Sequence, residues 1–154
     1  MKKFIIFLVS ILTPLFVWFV SSIVTSESVQ TWYPLLNKPF FNPPNWIFAP
    51  VWTILYFFIW YSFYKIWTSN KSSIKNESLI YYVHLLVNWL WSFIFFWLKN
   101  PWYALVDIII LWILIIIMIK MFYKTSKISS YLLCPYLAWV SFALILNMSI
   151  FLLN

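Results

Sequence analysis

Glycine is missing from all 154 residues. Membrane helices commonly use it where two backbones approach closely, so any such contact here falls to alanine or serine. Carboxylates are nearly as scarce: three, against ten lysines, for a net charge of +7. That excess invites a nucleic-acid reading, but the lysines are scattered over separate connections and form no basic motif, so nucleic acid is not an expected partner. Cysteine and histidine occur once each, as Cys134 and His84. A lone cysteine closes no disulfide within the chain, and no Cys/His cluster has zinc spacing, so no metal site is expected. The sequence holds no nucleophile–base–orienter set, no paired carboxylates inside an apolar run and no phosphate loop. Conventional hydrolysis and phosphoryl transfer have no machinery here.

What is present is apolar and aromatic. Hydrophobic residues make up 65% of the chain and charged ones 8%, with a mean hydropathy of +0.92. A soluble domain carries about 25% charged residues, so water is not the solvent for most of this surface. A hydrocarbon core of ~30 Å needs ~20 apolar helical residues. Five runs qualify: 4–24, 46–66, 79–98, 102–122 and 131–153. Lipid offers no partner to an open sheet edge, so each run must be helical. The expected fold is an all-α integral membrane protein, one domain over residues 1–154: five transmembrane helices and a first loop rich in proline and aromatics. The first run has the Lys2–Lys3 start of a secretory signal, but it is longer than the usual apolar core and no A-x-A site follows. It is read as a retained helix.

The lysines sort by side. Lys2, Lys3, Lys65, Lys71, Lys75, Lys120, Lys124 and Lys127 flank the amino end and the second and fourth connections; Lys38 and Lys99 lie opposite. By the positive-inside rule the amino terminus is cytoplasmic, and the carboxyl terminus and first loop are on the outer face of the cell membrane.

That first loop, WYPLLNKPFFNPPNW at 32–46, holds four prolines and five large aromatics. Each proline fixes its own φ and keeps the preceding residue out of helical geometry. A segment so restrained loses less entropy when ordered, which suits a lid over the bundle mouth. Phe40, Phe41 and Trp46 fit better as an aromatic belt at the headgroups; for Tyr33 the lid and belt readings stand level.

Polar groups inside membrane helices are costly, and each is a functional candidate. In the third run His84, Asn88 and Ser92 recur at i, i+4 and i+8, with Trp91 on the edge of that face. Trp139, Ala143, Leu146 and Asn147 share a face of the fifth run, and Trp52 and Tyr56 a face of the second. The plain alternatives stand beside these. Asn88 and Asn147 also suit interhelical hydrogen bonds, His84 fits an interhelical partner better than a haem ligand, and Asp107 sits where a helix dipole supports an anion. Cys134 reads as packing, Glu27 and Glu77 as loop charges.

Three stretches carry a resemblance: FNPPNWIFAPVWTILY, LVNWLWSFIFFWLKNPWYALVDIII and LLCPYLAWVSFALILN, at 41–56, 86–110 and 132–147. With the W-Y-P-x-L-x-K-P loop start, they resemble signature segments of the translocator protein / tryptophan-rich sensory protein (TspO) family. The resemblance implies a five-helix membrane bundle, often a homodimer in lipid, with a pocket under the first loop. It implies binding of tetrapyrroles such as protoporphyrin IX and of isoquinoline carboxamides, and light-dependent oxidative breakdown of porphyrin using oxygen, with no permanently bound cofactor. By motif the binding positions fall on Tyr33, Pro43, Trp52, Tyr56, Asn88, Trp91, Trp139, Ala143, Leu146 and Asn147. Trp52 and Trp139 are the candidate catalytic indoles.

The chain departs from the family twice. Family glycines after L-Y in the second run are replaced by Phe58, Trp60 and Ser62, so close packing there is not assumed. The Tyr-Arg of animal members after L-N is absent, Asn147 being followed by MSIFLLN, and cholesterol recognition is not expected. The competing readings are a tetrapyrrole transporter or sensory receptor without catalysis, and a structural membrane protein without a ligand. Lys38 is weighed as a partner for a porphyrin propionate against a merely solvated lysine.

Overall fold

A computed structural model describes residues 2–69 and 71–154, the side chains of 2–6 and Val24 apart. The side chains of Lys2 and Lys3, used above for orientation, lie outside that description. The chain forms α1 (Lys2–Thr31), α2 (Phe48–Trp67), α3 (Lys75–Ser92), α4 (Pro101–Tyr123), α5 (Lys127–Leu132) and α6 (Cys134–Leu153). Five stretches are long and apolar enough to cross a membrane, α5 and α6 together forming the last, Lys127–Leu153. The protein is a multi-pass membrane protein. α1 packs on α2 and α3, α4 on α3 and α6, and α2 meets α5 and α6, which closes the ring.

The helix ends differ from the sequence expectation in instructive ways. α1 runs seven residues beyond the expected end at 24. Polarity marks where a segment leaves lipid, not where helical geometry must stop. Thr25 Oγ1 donates to Ser21 O at 2.6 Å and Thr31 Oγ1 to Glu27 O at 2.9 Å, keeping these hydroxyls within the helix, while Ser28 Oγ reaches Phe96 O at 2.7 Å. The last expected helix is two: Pro135 has no N–H to offer the carbonyl one turn back, and the chain turns at Leu133 between α5 and α6. Ser126 caps α5, its Oγ accepting from Ser129 N, as N-cap serines do.

α3 begins at Lys75 rather than 79, bringing Glu77 into its first turn. Glu77 is no loop charge: it is buried, paired with Lys71, and accepts a hydrogen bond from Thr125 Oγ1 at 3.3 Å, tying α3 to the turn after α4. At its other end α3 widens into a π-helical turn, Phe93–Trp97, with Leu98 N bonded to Phe93 O. The hairpin that follows takes Lys99 to φ 51°, a left-handed geometry glycine usually fills. Asn100 then caps α4, its Oδ1 accepting from Tyr103 N at 3.1 Å, and Pro101 stands first in the helix.

Lipid gives helices little hydrophobic reason to associate, so packing and buried hydrogen bonds hold the bundle. Phe63 of α2 stacks on Tyr81 of α3 with ring centroids 3.8 Å apart. Ser62 of α2 is fully buried and donates to Ser129 O at 2.8 Å; Trp60 packs edge-on to Phe7 of α1. Trp112 Nε1 donates to Ser141 Oγ at 2.8 Å, joining α4 to α6. Cys134 departs from the packing expected of it and is exposed on the outside of the bundle.

Candidate functional site

The same 3–4 spacing that keeps one face of each helix off the lipid brings side chains from four helices around a cavity of about 320 Å3 under the first connection. α2 contributes Phe48, Trp52 and Tyr56, each one turn after the last. α3 and its π turn contribute Asn88, Trp91, Ser92, Phe95 and Phe96. From α6 come Trp139, Ala143, Leu146, Asn147 and Ile150. The volume lies at the lower end of the range for small-molecule sites.

Nine of the ten motif-derived positions border this space, and Pro43 does not. Asn42 turns its amide inward to Tyr33 and its own Nδ2 to Pro43 O at 3.1 Å, so the loop spends this stretch on holding itself. Tyr33 resolves toward the interior: it is 4% exposed, borders the cavity, and its hydroxyl donates to Asn42 Oδ1 at 2.6 Å. Burial pushes its phenol up to about 12. Phe40 and Trp46 are exposed, whereas Phe41 leaves the belt assigned to it and packs against Phe142 of α6.

Lys38 is not free for a ligand carboxylate. Its Nζ donates to the carbonyls of Tyr33, Pro34 and Leu36 at 2.9, 3.2 and 3.0 Å, and lies 5.1 Å from the Tyr33 ring centroid. A second clasp ties the loop to α6: Asn37 N donates to Asn154 Oδ1 at 2.9 Å, and Asn154 Nδ2 returns a bond to Asn37 O at 3.0 Å.

The two asparagines are both interhelical links and cavity lining. Asn88 joins three helices: Tyr56 of α2 donates its hydroxyl to Asn88 Oδ1, and Asn88 Nδ2 donates to Tyr136 Oη of α6 at 3.0 Å. Asn147 Oδ1 accepts from Trp91 Nε1 at 3.1 Å, while its Nδ2 donates to Pro101 O at 2.8 Å. These links hold the rings at set angles. Trp52 lies 5.7 Å from Tyr56 and 6.3 Å from Tyr136 between centroids; Trp139 rests against Phe48 and Phe142, and Trp91 stacks on Phe95 at 5.4 Å.

His84 lies one turn from Asn88 on the same stripe but does not border the cavity. Its Nδ1 sits 2.8 Å from Tyr81 O of its own helix, not across to a neighbour, and its Nε2 has no partner among the described residues. Asp107 is buried on α4 away from the cavity lining, and its Oδ2 is unpartnered among those residues.

Sequence reasoning missed one whole wall. Trp18, Ser21, Ser22, Thr25, Val29 and Gln30 line the cavity from α1. The signal was available: a Trp–Ser–Thr–Val stripe at 3–4 spacing in an otherwise apolar helix. Ending the helix at 24 hid it.

A family model, TspO/MBR family, matches residues 10–153. The chain is similar to the "Tryptophan-rich protein TspO" of Archaeoglobus fulgidus, with 47% identity over 145 residues covering 94% of each. The protein of the same name from Chlorobaculum tepidum shares 39% identity over 140 residues, 90% of this chain and 89% of that one. The "Translocator protein" of Sus scrofa shares 35% over 120 residues, 75% of this chain and 70% of its own. With nearly the full length matched and the site helices inside the match, the chain belongs to the TspO/MBR family.

Proposed function

We propose that this membrane protein binds tetrapyrroles such as protoporphyrin IX in the cavity beneath the first loop, and promotes their light-dependent oxidative degradation. The observation that carries the reading is the convergence of Trp52, Trp91 and Trp139, from three helices, on one largely apolar space. Flat indole faces suit a broad aromatic disc, and burial of its apolar area drives entry. With Asn88 and Asn147 engaged between helices, the indole N–H of Trp139, which has no partner among the described residues, is the neutral donor left to fix orientation. Isoquinoline carboxamides, smaller but equally flat, are expected in the same space.

Excited porphyrin and dioxygen supply the reactivity, as a chromophore's own chemistry does. The chain's residues do the rest. Trp52 and Trp139 place electron-rich indoles against the ligand, Tyr56 and Tyr136 buttress Trp52, and Tyr33 covers the space and limits water. The protein is proposed to sit with its amino terminus in the cytoplasm and the loop outside.

The test is the Trp52→Phe/Trp139→Phe double variant, in which both rings stay flat but lose the indole. Porphyrin affinity, read by quenching of the remaining tryptophans, should change less than about threefold, while light-driven loss of porphyrin absorbance falls by about tenfold or more. A double variant that bleaches porphyrin at the parental rate removes the indoles from the mechanism. Absence of quenching by any porphyrin removes the reading.

A further inference from the structure

Positive charge gathers at the end of the bundle away from the first loop, where α4 passes into α5. Lys120 and Lys124 stand one turn apart at the end of α4, Lys127 opens α5, and all three are exposed. Between the two helices lies a groove of about 420 Å3, lined by Ile119, Lys120, Tyr123, Lys124 and Ser130. Its base is fixed: Ser130 is buried, and its Oγ donates to Ile119 O at 3.0 Å, tying α5 to α4. Lys127 Nζ lies 5.7 Å from the centroid of the Tyr123 ring, which Tyr131 meets edge-on at 6.3 Å.

Like charges one turn apart on a helix oppose each other, and the chain supplies nothing to offset these. Of its three carboxylates, Glu77 is paired with Lys71. Asp107 lies more than three turns before Lys120 on α4, about 20 Å along the axis, and Glu27 is near the first-loop end of α1. Among the described residues no carboxylate comes within ion-pair distance of Lys120, Lys124 or Lys127. The carbonyl end of α4 carries only about half an elementary charge, too little for three lysines. The counter-charge has to come from outside the chain.

Apolar surface continues from the groove toward the bilayer centre. Ile109, Ile113 and Ile117 follow one another at four-residue spacing on the α4 face that carries Lys120 and Lys124, and all three are exposed. Exposed Tyr123 and Tyr131 mark the depth at which head groups lie. We propose that this groove binds an anionic phospholipid, with the phosphodiester among Lys120, Lys124 and Lys127 and an acyl chain along the isoleucine track. A zwitterionic lipid brings its own ammonium to a place that already holds three, and a free phosphate has no tail for the track. The site is separate from the cavity under the first loop and depends on no ligand there. In the proposed orientation it meets the cytoplasmic leaflet, where anionic head groups attract basic segments.

The experiment titrates the full-length protein in a neutral detergent, by native mass spectrometry, with dioleoyl phosphatidylglycerol, dioleoyl phosphatidylcholine and glycerol phosphate. Phosphatidylglycerol should bind with a Kd about tenfold or more below that of phosphatidylcholine, and glycerol phosphate about a hundredfold more weakly than phosphatidylglycerol. Lys120→Gln/Lys124→Gln should cut the preference between the two lipids to about threefold or less. The charge-matched Lys65→Gln/Lys75→Gln, at the same end of the bundle but outside the groove, should keep it within about twofold of the parent. The preference is a ratio of two constants measured on one variant, so any general loss of stability cancels. Equal Kd values for the two lipids in the parent overturn the proposal. So does an equal loss in the two double variants, which would show a diffuse attraction to the whole positive end. Glycerol phosphate binding as tightly as phosphatidylglycerol would make the groove a site for free phosphate and overturn the lipid assignment.

Discussion

Tyr33 shows how one residue can be read two ways from sequence and one way from structure. Beside Pro34 in a loop, a tyrosine serves equally as a headgroup anchor or as a lid; its 4% exposure and its bond to Asn42 turn it inward. The burial has a measurable consequence. An unfolded tyrosine ionises near pH 10, whereas burial lifts this phenol to about 12. The folded form thus holds its proton where the unfolded form releases it. The contribution to stability is complete below pH 10 and is lost as the pH rises through about 12. The tyrosinate absorbance of the parent minus that of Tyr33→Phe should therefore appear near pH 12, and a difference already complete at pH 10 would contradict the buried placement. Asn88 teaches a related lesson. Its position on an interior face was legible at 3–4 spacing, but not that both ends of its amide are taken by Tyr56 and Tyr136. Hydrogen-bond partners on other helices leave no trace in local periodicity.

At the scale of elements, the five hydrophobic runs were readable because lipid thickness fixes their length. Their ends were not. α1 continues through TSESVQT because its hydroxyls are satisfied by the helix's own carbonyls and by Phe96 O. The turn at Leu133 reflects Pro135, a signal present in the sequence. The hairpin between α3 and α4 shows the cost of a glycine-free chain. Lys99 holds φ 51°, a geometry that costs a residue with a Cβ roughly 1–2 kcal/mol. Lys99→Gly should raise stability in detergent by about 0.5–1 kcal/mol, part of the relief being offset by the greater freedom of unfolded glycine. Lys99→Val should lower it, since a β-branched side chain tolerates positive φ least. A thermal midpoint that falls in Lys99→Gly would show that the lysine side chain, not the backbone, governs the hairpin.

Over the whole molecule, the ring of helices leaves its gap between α1, α2, α3 and α6, and the first loop lies over it, clasped to the end of α6 through Asn37 and Asn154. Lysine placement makes the proposed orientation testable. In a Cys134→Ser background, Asn37→Cys should react with a membrane-impermeant maleimide on intact cells, and Ser72→Cys only after the cells are opened; the reverse pattern would invert the topology. The sequence by itself determined that the chain lives in a membrane, that it crosses it five times, and which family it resembles, because each follows from composition, run length and local motif. It also placed most of the cavity's aromatic lining on the right helix faces, since a face is a matter of 3.6-residue periodicity. Only the tertiary structure decided that α1 supplies a whole wall, that Pro43 stands apart, that Lys38 is held by the loop's own carbonyls and that the cavity is walled without charge. Those depend on which helix lies beside which, and adjacency between segments far apart in the chain is set by packing that no single run encodes.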